Sequence, residues 1–87
     1  MARYELIVKP SVTKDLRGLP RADVRRILAR MKALRDDPRP QGAEKLSAQE
    51  RYRIRQGNYR ILYTVADAAP TVEVVKVGHR REVYRDT

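Results

Sequence analysis

Arg51-Tyr52-Arg53-Ile54-Arg55-Gln56-Gly57-Asn58-Tyr59-Arg60-Ile61-Leu62-Tyr63 is the stretch on which the fold turns. From Arg51 to Arg55 charged and apolar side chains alternate strictly, the period of a strand with one buried face. Gln56-Gly57-Asn58 is a tight turn. Tyr59 to Val65 continues as a second strand, with Tyr59, Ile61, Tyr63 and Val65 on one face. Arg60 has the opposite parity and leaves that face. In an extended strand Arg51, Arg53 and Arg55 project together, about 6–7 Å apart.

Outward from this hairpin the pattern stays simple. Asp67-Ala68-Ala69-Pro70 makes another turn, and Val72 to Val77 reads as a third, valine-rich strand expected in the sheet interior. Gly78 is expected to break it, leaving His79 to Arg85 as a short basic tail. Upstream, Tyr4 to Val8 reads as an opening strand ended by Pro10. Ser11 is placed to cap a short helix carrying Val12 and Leu16 and closed by Gly18. Pro20 suits the first turn of the next helix, with Asp23 near its N-terminus. There Val24, Ile27, Leu28, Met31 and Leu34 recur at spacings of three and four and share one face. Asp36-Asp37-Pro38-Arg39-Pro40 stops that helix, and residues 38–50 read as a polar connection with Leu46 packed. The expected fold is α+β: a single domain over residues 1–87, with two N-terminal helices on one face of a four-stranded, mainly antiparallel sheet.

The 87 residues carry 20 Lys+Arg against 11 Asp+Glu, a formal charge of +9. So strong a field on so small a body favours polyanionic partners: nucleic acid, an acidic protein or an anionic surface. There is no cysteine, hence no disulfide framework or thiolate metal site, and no apolar run near the ~20 residues a membrane-spanning helix needs. A cytoplasmic protein with no membrane partner is expected. One histidine without clustered carboxylates predicts no metal, and no cofactor is expected.

With the strands paired in the order written, Arg53, Arg55, Arg60 and Arg80 can converge on one surface, with Tyr84 near enough to join. Guanidinium groups bind phosphate bidentately and stay charged at any physiological pH, and an exposed tyrosine can stack on a base. The same alternation also fits a solvated strand face or a docking face for an acidic protein. His79 fits a turn residue as well as a candidate acid/base.

The phrases Tyr52-Arg53-Ile54-Arg55, then Gly57-Asn58-Tyr59-Arg60-Ile61-Leu62-Tyr63, then Val77-Gly78-His79-Arg80-Arg81-Glu82-Val83-Tyr84 resemble the C-terminal half of RelE-type toxins, of the RelE/ParE superfamily of type II toxin–antitoxin systems. The resemblance covers nearly the whole chain. It implies a metal-independent endoribonuclease that cleaves mRNA in the A site of the 70S ribosome by 2′-hydroxyl attack. It also implies a cognate antitoxin that neutralises the toxin and carries the complex to operator DNA. By position, Arg53 and Arg55 fall where the family has a basic pair, often lysines, near the attacked phosphate. Arg60 matches an arginine on that phosphate, Arg80 the catalytic arginine after the last long strand, and Tyr84 a tyrosine that orients a base. Arg51, Arg81 and Arg85 are expected to add RNA contacts. Arginines replace the family's lysines at 53 and 55, and a guanidinium is a poor proton acceptor, which leaves the base to His79, the substrate or water. The alternative is a ParE-like, non-enzymatic inhibitor of DNA gyrase with the same fold.

RNA affinity is predicted to fall with added salt as counterions are released from phosphates. Replacing Arg51 should weaken binding slightly and replacing Arg60 more, measured by fluorescence anisotropy across a salt series. Equal losses would indicate a diffuse basic face.

Overall fold

A computed structural model of the chain describes residues 3–46 and 50–79. In chain order the elements are β1 (Glu5–Val8), α1 (Pro10–Arg17), α2 (Arg21–Ala33), β2 (Glu44–Lys45), β3 (Arg51–Gln56), β4 (Tyr59–Ala66) and β5 (Thr71–His79). They build an α+β domain whose two N-terminal helices cover one face of a sheet ordered β1-β5-β4-β3-β2. Strands β3, β4 and β5 form the expected antiparallel meander. The sheet has five strands where four were expected, because Glu44 and Lys45 of the supposed loop pair antiparallel with Arg53 and Tyr52. Two residues carry no readable alternation, so this edge strand left no period in the sequence. At the other edge β1 runs parallel to β5, since the helices between them supply the crossover that parallel pairing requires.

Both helix starts depart from expectation. Pro10 is the first residue of α1 and Ser11 lies inside it, with Lys9 at the cap position and no side-chain cap bond. Proline there fixes φ near the helical value and has no N–H to satisfy, so it starts the helix without a capping hydroxyl. Pro20 stands one residue outside α2, at the cap position with ψ 142° and without a side-chain cap.

Ile27, Met31 and Leu34 of α2 and Val12 of α1 pack on Tyr52, Ile54, Ile61, Tyr63, Val65, Val72, Val74 and Val77. Leu28, expected on the same stripe, is instead 39% exposed, because the stripe is centred on Ile27 and Met31. Val74 and Val77 both face the helices although they stand three positions apart, an odd spacing. A bulge between the Leu62–Lys76 and Tyr63–Val74 pairs inserts Val75 and restores the phase. Strand β5 also continues through Gly78, which is buried opposite Arg60. A glycine breaks a strand only where pairing is lost, and here β4 pairs with it to the end.

An ionic cluster fixes the connection from α2 to the end of β4 distant from the turn. Arg39 Nη2 binds both Glu50 Oε1 and Asp67 Oδ2, the latter at 2.8 Å, and its Nε donates to the Tyr52 hydroxyl at 2.8 Å. Tyr4 donates to Asp67 at 2.6 Å, and Lys45 Nζ lies 2.8 Å from Glu50. Below them Tyr52 stacks on Tyr63, whose buried hydroxyl donates to the carbonyl of Pro38 at 2.9 Å. Lys45 and Arg39 hold the Glu50 carboxyl at about 2, against an ordinary 4.5. Arg39 and Tyr4 likewise lower Asp67. No helix among the described residues is long and apolar enough to cross a membrane.

Because the folded-state pKa of Glu50 is depressed, its contribution to stability is complete above the unfolded value and lost as pH falls through the folded one. The urea midpoint should therefore drop between about pH 5 and about pH 2. Glu50→Gln should lower the neutral midpoint and flatten part of that acid limb, whereas parallel curves for the two proteins would show that the cluster contributes nothing.

Candidate nucleic-acid interface

The hairpin register builds the site. Gly57 has φ +60° and Asn58 does not share a positive φ, the pattern of a two-residue type II′ turn, in which glycine leads. That turn pairs Gln56 with Tyr59, and so Arg55 with Arg60, Ile54 with Ile61 and Arg53 with Leu62. Arg53, Arg55 and Arg60 thus share the sheet face away from the helices. Gly78, opposite Arg60 in β5, brings no side chain to that face.

Strand β2 pairs only with Tyr52 and Arg53, so the edge of β3 beyond Arg53 has no strand beside it among the described residues. A cleft of about 320 Å³ opens at this edge, lined by Arg30, Gly42, Glu44, Arg53, Arg55 and Arg60 with Ile54 at its wall. Among the described residues four guanidinium groups share it with one carboxylate. Glu44 Oε2 takes a hydrogen bond from Arg53 Nη2 at 3.0 Å. Arg60 is only 4% exposed; among the described residues its hydrogen bond is from Nη1 to the carbonyl of Tyr59 at 3.3 Å. Among the described residues no carboxylate reaches Arg60, Arg55 or Arg30. A guanidinium so far removed from water without a counter-ion is costly, and like charges directly opposite on paired strands repel. Both costs fall when an anion enters the cleft.

The expected site residues divide between this cleft and other places. Arg53, Arg55 and Arg60 come together. Arg51 lies on the same face but lines a separate groove with Ile7, Thr64 and Glu73. His79 pairs with Tyr59 in the register, and its ring meets the Tyr59 ring edge-on at 6.2 Å. Tyr59 in turn packs toward the helices and donates to Asp23 of α2 at 3.4 Å. His79 therefore stands on the helix-side face and does not line the cleft. Arg80, Arg81, Tyr84 and Arg85 lie outside the described residues. Two members of the cleft were missed. Arg30 had a signal: it stands three residues after Ile27 and four before Leu34, at the border of the apolar stripe. Glu44 had none, since residues 38–50 carry no period that marks a strand.

Fold and cleft together describe a small basic toxin of the RelE/ParE kind. A family model described as the ParE toxin of type II toxin-antitoxin system, parDE, matches residues 6–84. The chain belongs to that family, within the RelE/ParE toxin superfamily. Among solved structures it is similar to the archaeal RelE–RelB complex from Pyrococcus horikoshii, at 28% identity over 92% of this chain and 97% of that one, with a TM-score of 0.79. The RelBE2 toxin–antitoxin complex from Mycobacterium tuberculosis matches at 25% identity over 92% and 94%, also with a TM-score of 0.79. A doubly substituted form of the Escherichia coli toxin RelE in the free state matches at 26% identity over 95% and 92%, with a TM-score of 0.77. No curated protein matches the chain in sequence.

The cleft predicts a measurable response to anions. Inorganic phosphate should raise the melting temperature of the protein in low-salt buffer. Arg55→Gln should stabilise the phosphate-free protein by up to about 1 kcal/mol, by removing one of two facing charges, and should lose most of the phosphate-induced gain. A variant less stable than wild type without phosphate would show that the pair is not strained.

Proposed function

We propose that this toxin is a ribosome-dependent mRNA endoribonuclease, neutralised by a cognate antitoxin, and that the β3-edge cleft receives the scissile phosphate. The observation that carries the reading is the Arg55–Arg60 pair: two guanidinium groups in direct register, one of them buried, neither matched by a carboxylate among the described residues. Solved structures of three of its relatives are toxins in complex with RelB antitoxins, which supports the antitoxin as partner. By the resemblance stated above, the ribosome and mRNA are the target, and operator DNA is reached through the antitoxin complex.

In this reading the RNA 2′-oxygen attacks the adjacent phosphorus and the bond from phosphorus to the 5′-oxygen breaks. The products are a 2′,3′-cyclic phosphate and a free 5′-hydroxyl. Negative charge builds on the non-bridging oxygens in the transition state, where Arg55 and Arg60 stabilise it more than they stabilise the ground state. The attacking hydroxyl must lose a proton. Guanidinium groups do not accept one, and His79 faces the other side of the sheet, so among the described lining side chains Glu44 is the one that can serve. Its ion pair with Arg53 positions it in the substrate-free protein. Arg80, which follows His79 directly, is assigned the leaving oxygen by the resemblance, and Tyr84, Arg81 and Arg85 the neighbouring nucleotides.

The family model, described as a ParE toxin, supports a second reading; by the resemblance stated above, that is an inhibitor of DNA gyrase without enzymatic activity. There the same cations would hold an acidic surface or a DNA backbone and no bond would break.

Single-turnover cleavage of mRNA on programmed ribosomes separates the two. Arg60→Lys and Arg55→Ala should each slow cleavage by roughly 10²–10³-fold, the scale of losing one donor to a developing oxyanion. Arg17→Ala, on the exposed face of α1, should cut at the wild-type rate, and circular dichroism should show all three folded. Intact mRNA with the wild-type protein, together with blocked gyrase supercoiling, would select the second reading.

A further inference from the structure

Arg30 is the one cleft residue that comes from the helical layer. Its neighbours in the α2 stripe, Ile27 and Leu34, are fully buried, so its stem starts at the border of the core. Arg21, Arg25 and Arg26 of the same helix are exposed, and Arg26 faces Asp23 at 3.8 Å. Arg30 is half-buried, has no hydrogen bond or ion pair among the described residues, and lines the cleft beside Ile54. Ile54 belongs to the helix-side face of β3, whereas Arg55 and Arg60 belong to the other. The cleft therefore turns around the unpaired edge of β3, with cations on both sides of the strand. Such an arrangement exceeds what a single phosphate needs. A long side chain that lays its stem along the core and its head at the rim is common, but it ordinarily ends in solvent or on a carboxylate; this one lines a cleft with three other arginines, and its charge acts on the Tyr63 hydroxyl of the helix-side face.

We propose that Arg30 forms a second phosphate subsite, which holds the phosphate next to the one at Arg55 and Arg60, so that the RNA backbone bends around the edge of β3. The proposal rests on the reading of the cleft as an RNA-phosphate site. Arg30 is here a binding and positioning residue, away from the reacting atoms. It fixes the path of the backbone, and with it the angle at which the 2′-oxygen meets the phosphorus. The ligand class is a nucleotide chain with consecutive phosphates, as distinct from a lone phosphate.

Two small ligands test this without ribosomes: inorganic phosphate, and adenosine 3′,5′-bisphosphate, which presents two phosphates across one ribose. Isothermal titration at low salt should show the bisphosphate binding more tightly than phosphate to the wild-type protein. Arg30→Met keeps the stem and removes the charge. It should bind phosphate as wild type does and lower the advantage of the bisphosphate by roughly tenfold, the scale of one charge-assisted hydrogen bond. Arg30→Lys should recover part of that advantage. Arg30→Met binding the bisphosphate as tightly as wild type would overturn the proposal and assign Arg30 to packing alone. Equal weakening of both ligands would overturn it too, because a diffuse field acts on each. Failure of the wild-type protein to bind either ligand would remove the phosphate-site reading itself, and the second subsite with it.

Discussion

Side chains alternate along a strand, so the register of one hairpin decides which charges meet. The II′ turn at Gly57–Asn58 fixes that register and sets Arg55 opposite Arg60. A slip of one residue would carry every arginine of β3 to the helix side and every apolar residue into water. Burial of Tyr52 and Ile54 against α2 forbids the slip. The core thus holds Arg55 and Arg60 side by side on the face away from the helices. Gly78 adds to this, because the strand beside Arg60 offers no side chain to fill the space or neutralise the charge.

The charges of the sheet divide into two groups of different chemistry. Leu62 is fully buried on the face away from the helices, between Arg53 and Lys76 in the register. Beside the helix-side Tyr52, the Arg39–Glu50–Asp67 cluster matches its cations with carboxylates. At the unpaired end of β3 the described lining of the cleft has four arginines and one carboxylate, Glu44. The first arrangement is neutralised within the protein and fastens the loop that leads to β2. The second keeps an excess of cations among the described residues, which is where the proposed phosphate would sit. A solvated arginine face, the simpler reading of the alternation, would not bury Arg60 to this degree.

Much of the fold could be read from periodicity. The β3–β4 hairpin, the valine strand and the α2 stripe each span enough residues to show a period, and each formed. What escaped has a physical reason in each case. Strand β2 is two residues long and takes its identity from pairing with β3. The parallel placement of β1 depends on a crossover that no local pattern reports. Ser11 and Pro10 compete for the same helix start, and proline takes the first helical position. At the site, Arg53, Arg55 and Arg60 were legible because strand parity is local. Arg30 and Glu44 reach the cleft through tertiary packing of α2 and of the 38–46 segment. His79 stood next in sequence to the expected catalytic arginine, yet the register sends it to Tyr59, since adjacent residues in a strand point to opposite faces.

Cleavage and attachment alone would both begin with an anion at the same guanidinium groups. The distinction lies in where a phosphodiester sits. A cryo-electron microscopy structure of the protein on a ribosome, with an mRNA made uncleavable by 2′-deoxy substitution, addresses this directly. The account predicts the phosphate next to the substituted ribose within hydrogen-bonding distance of Arg55 and Arg60, roughly 3 Å, with Glu44 facing the missing 2′-hydroxyl. An mRNA backbone held elsewhere on the protein, with the β3-edge cleft empty, would contradict it.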